Sequence, residues 1–332
     1  MILIITDAFD SHAERVISNI EAEGIPFFRF NLDVEALKTT TISIFEETCI
    51  IRQNDSVISM DDISVVWVRR AFVELTLEEM KNQSTGFKIW KNEWNKTLNG
   101  LYLRLKKKTW LNELNQAFKG ENKYSQLAIA KKIGFNIPKT IVSNDKKALV
   151  EFSRNYDKVV FKLMTQDFYP DLQGGYQGLY VNTVNKQQLA EFSEIGENPI
   201  VLQEFIKKQY EVRYTVVAEK HFVCKIDSQA SEKTSIDWRR YDIPNTPHFE
   251  ITPPKEIVKK VQEFMRVLDL NYGAFDFVVT QENEWYFLEI NCFGQWLWIE
   301  DLTGMNISAE ISNWLIGKYT EKEVKSIESI RT

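Results

Sequence analysis

The stretch Asp276-Phe-Val-Val-Thr-Gln-Glu-Asn-Glu-Trp-Tyr-Phe-Leu-Glu-Ile-Asn291 decides how the rest of the chain is read. Two apolar runs of strand type, 274–280 and 285–291, flank Gln281-Glu-Asn-Glu284. If those four residues form a hairpin loop, Thr280 stands opposite Trp285 and Asp276 opposite Glu289. Alternation along a strand puts Glu289 and Asn291 on one face, and Asp276 joins them from across the ladder. Two carboxylates and a carboxamide then converge in an otherwise apolar sheet, where uncompensated they repel one another and lose hydration. A hard divalent cation relieves both problems, and oxygen ligands shared with phosphate oxygens suit magnesium. The bland alternative is a solvated polar sheet face. A nucleotide-dependent enzyme is the sharper expectation.

The bulk properties fit that expectation. With 332 residues the chain is long enough for two or three domains with their own cores. A net charge of −6 argues against a general nucleic-acid binder. No apolar run approaches the roughly 20 residues needed to span a bilayer. The opening Met1-Ile-Leu-Ile-Ile-Thr-Asp7 lacks a basic segment and a cleavage site, so it reads as a buried strand rather than a signal. Cys49, Cys224 and Cys292 are dispersed, with no disulfide framework and no zinc spacing. A cytoplasmic protein is expected.

Strands alternating with helices over the first third predict a small α/β domain. Strands are expected at 1–6, 26–31 and 64–68, with a helix from Asp10-Ser-His12 to about Glu23. Residues 75–119 read as helices and end in the basic run Arg104-Leu-Lys-Lys-Lys108, either a solvated face or a docking surface for something acidic. Beyond Asn122, a helix over 124–133 is stopped by Gly134 and Pro138. Strands are expected at 139–142, 159–163, 179–182 and 201–206, and a hairpin at 212–217 and 221–226. A helix follows at 257–268, and a last one runs from Ile307 to about Tyr319 before a frayed tail.

Lys123 and Lys162 stand at the start of the central region and the end of a β run. A lysine there is either a snorkelling surface residue or one that reaches an anion. Gly174 and Gly175 lie in Gln173-Gly-Gly-Tyr-Gln-Gly178, an ordinary hairpin turn or a loop laid over phosphates by its N–H groups. It is not a Walker loop. Gln203-Glu204-Phe205-Ile206 ends a strand, where backbone groups can pair with an adenine edge and an apolar side chain can pack on the ring. Glu211 follows, placed to meet ribose hydroxyls, then Arg213, Lys225 and Arg239 along the next segments. Each cation has an alternative as an exposed ion-pair partner. Trp296 and Trp298 read as core packing unless one ring faces a cleft. The adjacent Arg69 and Arg70 at a strand end are poor packing residues, suited to a carboxylate or phosphate.

From Glu121 to Asn291 this ordered series resembles the ATP-grasp superfamily of carboxylate–amine ligases. The resemblance implies that Lys123 and Lys162 hold the α and β phosphates of ATP, that 204–206 hold adenine, and that Glu211 holds ribose. It further implies that Arg213 and Arg239 face the γ-phosphate or an acyl phosphate, and that Asp276, Glu289 and Asn291 bind Mg2+. Asp10-Ser-His12, Val66-Trp-Val-Arg-Arg70, Asp237-Trp-Arg-Arg-Tyr-Asp242 and Gly294-Gln-Trp-Leu-Trp-Ile-Glu300 look like the microviridin-type peptide ligases, the graspetide synthetases. One departure is Cys292, where that family commonly has proline after the metal-site Asn.

The expected fold is therefore α/β, an ATP-grasp fold of three parts. These are an N-terminal pre-grasp domain (1–120), a central subdomain (121–200) and a C-terminal subdomain with the metal site (201–332). The resemblance implies a ligase that activates Asp or Glu side chains of a ribosomal precursor peptide as acyl phosphates. It then closes them onto Ser or Thr hydroxyls or Lys amines. It also implies a partner peptide with a leader and an acidic core, and a homodimer. The alternatives are a ligase that adds an amino acid to a peptide tail, or a non-catalytic ATP-binding protein.

Overall fold

The computed structural model describes residues 1–46, 48–81, 83–162, 168–170, 176–178, 182–191, 197–236, 238 and 242–331. Its N-terminal sheet is parallel, in the order Phe27–Asn31, Ile2–Thr6, Val65–Val68, Thr109–Leu111. Ile2, Leu3, Ile4 and Ile5 are all fully buried, as expected of a central parallel strand covered on both faces. Asp10 caps the helix Ser11–Ala22 by accepting the N–H groups of His12 and Ala13. Its apolar face, Val16, Ile17 and Ile20, shares a core with Ile311 and Leu315 of the last helix. Two features of this region escaped the sequence reading. Thr109–Leu111 is a strand inside the stretch expected to be helical. It is only three residues long, too short for its alternation to register. A small antiparallel sheet of Thr41–Phe45, Thr48–Gln53 and Ser56–Ser59 flanks the domain. At the other end the last helix continues from Ile307 to Arg331, past the expected stop near Tyr319.

The central sheet is antiparallel, ordered Asn182–Val184, Val159–Lys162, Ile200–Glu204, Thr140–Ser143. The short strands Phe168–Pro170 and Tyr176–Gly178 pair with each other. The helix Lys123–Ile133 leads into it and ends where expected, because Gly134 takes φ +93° and closes the helix in the left-handed region.

The C-terminal sheet carries five antiparallel strands, in the order His248–Glu250, Lys220–Ile226, Tyr210–Val217, Tyr272–Val279, Trp285–Asn291. One face packs Val212, Tyr214, Phe275, Phe277 and Phe287 against the helix Lys255–Leu268. The other face turns toward the cleft. The hairpin loop is one residue longer than the sequence reading allowed. Val279, not Thr280, faces Trp285, and the Thr280 hydroxyl instead accepts the N–H groups of Glu282 and Glu284. Asp276 nevertheless pairs with Glu289, because Leu288 is a bulge: Phe277 faces Phe287 and the register shifts by one. Trp285 and Phe287 point into the core on one side of the bulge. Strict alternation would carry Glu289 in with them, and the extra residue turns it and Asn291 out.

Asn112, just past the short strand Thr109–Leu111, ties this sheet to the first. Its Oδ1 accepts the N–H of Asn271 at 2.7 Å and of Tyr272 at 2.8 Å, and its Nδ2 donates to the Tyr272 carbonyl at 2.8 Å. Asn112 is 3% exposed, so truncation strands two buried backbone groups of Tyr272 and the part-buried N–H of Asn271. Asn112→Ala is expected to destabilise the protein by about 3 kcal/mol, read as a lower urea midpoint at unchanged slope.

Candidate active site

Between the central and C-terminal sheets lies a cleft, open to solvent at its mouth. Its apolar walls are Pro138, Val160, Ile236, Val278 and Leu288. Its polar lining includes Lys123, Lys162, Gln203, Glu204, Lys208, Glu211, Asp276 and Glu289, with Phe205 and Ile206 beside them. Of the residues expected from sequence, the cleft thus gathers nine. Asn291 stands against two of them: its carboxamide Nδ2 lies 3.3 Å from Asp276 Oδ2 and 3.5 Å from Glu289 Oε1. A half-turn of the amide presents its oxygen to the same point. Among the described residues no cluster of three or more His, Cys, Asp or Glu side chains is arranged for a metal. A cation here would therefore draw on two carboxylates, one amide and outside oxygens, a donor set that fits magnesium and not zinc.

Three carboxylates of the cleft each meet a cation. Lys123 Nζ bonds Glu289 Oε2, Arg213 Nε lies 3.3 Å from Asp276 Oδ1, and Lys208 Nζ lies 2.6 Å from Glu211 Oε1. Lys123 is aimed by its own helix. Three residues on, Gln126 donates to the Ile290 carbonyl at 2.8 Å and accepts the Ile290 N–H at 3.1 Å. Residues three apart share a helix face, so the key that fixes the helix also points Lys123 at the neighbouring Glu289. Lys208 also donates to the Ile236 carbonyl at 2.8 Å, fastening the segment before Trp238 to the cleft. Gln126 and Lys208 were not singled out from sequence. A glutamine in a helix and a lysine in a loop carry no local signature.

Arg213 is 7% exposed, and its Nη1 has no hydrogen-bond partner among the described residues. Its guanidinium carbon stands 5.4 Å from the Trp238 ring and 5.7 Å from the Trp298 ring. Those two rings stack on each other at 4.4 Å. The Asp237–Asp242 and Gly294–Glu300 segments therefore meet through one tryptophan each. Trp296 is core: it is 1% exposed and donates to Ser308 Oγ at 2.8 Å.

Other expectations are corrected or fall outside view. Lys225 pairs with Val212, on the face opposite Glu211 and Arg213, and lies 4.6 Å over the Tyr210 ring. A strand flips sides at every residue, so Lys225 is turned away from the cleft. Gly174, Gly175 and Arg239 lie outside the described residues. The basic run Arg104–Lys108 sits at the end of the helix Thr85–Leu105, away from the cleft lining. Arg69 and Arg70 both meet carboxylates of their own domain, Asp10 at 3.2 Å and Asp7 at 3.0 Å. A separate crevice in the N-terminal domain is lined by Asp7, Asp33, Glu35, Glu74 and Glu79, a charge that repels phosphates.

The segment after Asn291 is pinned from several sides. Glu121 Oε1 accepts the Cys292 N–H, Arg69 Nη1 donates to the Phe293 carbonyl at 2.9 Å, and Tyr272 Oη donates to the Gly294 carbonyl at 2.8 Å. A Cβ on Gly294 would stand 2.7 Å from that of Ala274 and 3.2 Å from that of Asn291, so only glycine lets the loop return this closely. Beneath it His12 packs edge-on against Trp296 at 4.5 Å, with Nδ1 lacking a partner among the described residues. Burial, helped by the Arg69 charge and resisted by Asp10, pushes the His12 imidazole down to about 4.

Comparison with known proteins places this geometry. A family model described as an MvdD pre-ATP grasp domain matches residues 1–117, and one described as a RimK-like ATP-grasp domain matches residues 120–315. A RiPP-associated ATP-grasp ligase of Chryseobacterium gregarium, solved with ADP and a leader and core peptide, is 30% identical; the match covers 96% of each chain at a TM-score of 0.85. Macrocyclase MdnC of Microcystis aeruginosa, bound to precursor peptide MdnA, is 27% identical over 96% of this chain and 99% of its own, at 0.84. Macrocyclase MdnB of the same organism is 29% identical over 95% and 98%, at 0.78. No curated protein matches. Among the described residues no helix is long and apolar enough to cross a membrane.

The buried His12 sets a pH dependence. Its folded value lies below its ordinary 6.5, so between pH 6.5 and about 4 the unfolded chain binds the extra proton and stability falls with pH. From pH 7 to pH 5 the wild type is expected to lose up to about 2 kcal/mol more than a His12→Gln variant in parallel urea titrations. Equal losses would mean that His12 is not held neutral.

Proposed function

This chain belongs to the RimK-like ATP-grasp family, and on that premise we propose that it is an ATP-dependent ligase closing rings within a ribosomally made precursor peptide. The observation that carries this reading is the meeting of Asp276, Glu289 and Asn291 with Lys123 and Arg213 beside the cleft between the two sheets. The peptide complexes of the ligases it resembles support the choice of substrate.

In the first step a carboxylate oxygen of a peptide Asp or Glu attacks the γ-phosphorus of ATP. The bond to the β,γ-bridging oxygen breaks, leaving an acyl phosphate and ADP. In the second, a Ser or Thr hydroxyl or a Lys amine of the same peptide attacks the acyl carbon. Phosphate leaves, a proton is lost, and the peptide is lighter by one water per ring. Phosphoryl transfer asks the protein for position and charge rather than covalent help.

The apolar walls and the strand end at 203–206 hold adenine, and Glu211 meets the ribose. The Glu204 N–H is taken by the Lys139 carbonyl at 2.8 Å, so the donors for the base come from the residues after it. Lys123 and Lys162 balance the α and β phosphates. Magnesium held by Asp276, Glu289 and Asn291 supplies further charge neutralisation when bound. Arg213, stiffened by the Trp238–Trp298 pair, turns its Nη1, which has no partner among the described residues, to the charge that develops on the transferring group. Arg239 shares that task in the same reading.

The test is intact mass of leader-bearing precursor peptides after incubation with protein, ATP and magnesium. Loss of one water per ring is expected, and its absence with Glu289→Gln or without ATP. A gain equal to an amino-acid residue would instead mark a tail-adding ligase. On the ring-forming peptide, Arg213→Lys keeps the charge but not the fork. Its kcat is expected to fall about a hundredfold with the KM for ATP within about threefold. A changed KM at constant kcat would make Arg213 a ground-state contact.

A further inference from the structure

Glu121 ends the helix Leu114–Glu121, two residues before Lys123, and serves no step of the reaction proposed above. Its side-chain oxygen accepts the N–H of Cys292, the residue that follows Asn291. Burial pushes its carboxyl up from the ordinary value, and the N–H groups of Cys292 and Phe293 oppose that rise. The residue before it is shaped for the same neighbour: a Cβ on Gly120 would stand 2.5 Å from Cys292 Sγ. The pair Gly120-Glu121 thus forms a socket, one residue making room for the thiol and the next binding its peptide N–H. Cys292 is 3% exposed.

We infer that Glu121 is a positioning residue for the magnesium site, holding the Cys292 peptide so that the Asn291 amide stays turned toward Asp276 and Glu289. This rests on the magnesium reading given above. Asn291 is the last residue of an edge strand. Sheet pairing therefore ends with it, and the direction of its side chain depends on what fixes the next peptide. The Gly120-Glu121 socket fixes it from a helix whose neighbour carries Lys123. A single connection, Asn122, thus links the group that sets the amide and the lysine that meets Glu289.

The measurement is the magnesium concentration that half-saturates AMP-PNP binding, followed by calorimetry, with AMP-PNP binding in EDTA as the reference. Glu121→Leu removes the acceptor and is expected to raise that concentration about tenfold, leaving binding in EDTA unchanged. Glu121→Gln keeps an acceptor oxygen and is expected to stay within about threefold. Cys292→Pro removes the donor and is expected to match Glu121→Leu. The double variant, with neither partner stranded, is expected to be no worse than either single one.

Wild-type magnesium dependence in Glu121→Leu, or losses that multiply in the double variant, would overturn the inference. If Glu121→Leu does not fold, the contrast of Glu121→Gln with Cys292→Pro decides, and equal behaviour of those two overturns it. A wild-type protein whose AMP-PNP binding ignores magnesium removes the magnesium reading itself, and this inference with it.

Discussion

The cleft depends on one extra residue. Leu288 breaks the alternation of the strand Trp285–Asn291, so that Phe287 can lie in the core while Glu289, two residues later, faces the opposite side. An unbroken strand cannot do both, because side chains two apart share a face. Without the bulge, Glu289 would enter a core of phenylalanines, where an ionised carboxylate is far more expensive than any contact it makes. The bulge also gives the cleft Leu288 itself, as part of its apolar wall. The expected pairing of Asp276 with Glu289 holds, for a different reason. A loop longer by one residue and a bulge of one residue cancel.

The strand so bent lies at the edge of its sheet, and other parts of the chain replace the neighbour it lacks. Gln126 takes both backbone groups of Ile290, and the Asn136 carbonyl accepts the Phe287 N–H at 2.9 Å. Glu121, Arg69 and Tyr272 hold the three peptides that follow Asn291. Apart from the Asn136 carbonyl these are polar side chains reading backbone from elsewhere in the fold, and each bond contributes about 1 kcal/mol. Their weight lies more in what happens when one is missing, since a stranded buried N–H or C=O loses its hydration outright. The N-terminal domain takes part through Arg69 and Asn112, so it is built into the rear of the site rather than tethered to it.

Charge in the cleft is arranged as pairs, each set by a different element. Lys123 comes from a helix, Arg213 from a central strand and Lys208 from a loop, and they meet Glu289, Asp276 and Glu211. Burying such pairs adds little stability, because desolvation offsets most of the attraction. In the proposed reading such pairs can be divided: phosphates would draw the lysine and arginine, and a divalent ion would take the carboxylates of Asp276 and Glu289. Arg213 is less free to follow than Lys123, being packed near two stacked tryptophans. The side chain proposed to meet developing charge is thus the stiff one, which lowers the reorganisation needed during reaction.

Much of this was written locally. The run Ile2–Thr6, the capping Asp10, the stop at Gly134 and the Asp276–Glu289–Asn291 set depend on periodicity and residue chemistry within a few positions, and these were legible. The three-residue strand Thr109–Leu111 was not, since two or three residues hold no period. Lys225 was misplaced because spacing along a chain says nothing of which face a strand presents until its partners fix the register. Gln126, Lys208 and Glu121 gave no signal at all, as each acts on a backbone group or charge brought to it by folding. The sequence by itself determined which chemistry this protein carries: an acidic, amide-assisted site beside lysines and arginines in an α/β chain. The tertiary structure alone decided where that chemistry points, because a bulge, an edge strand and the side chains that hold it are set by contacts between residues far apart in the chain.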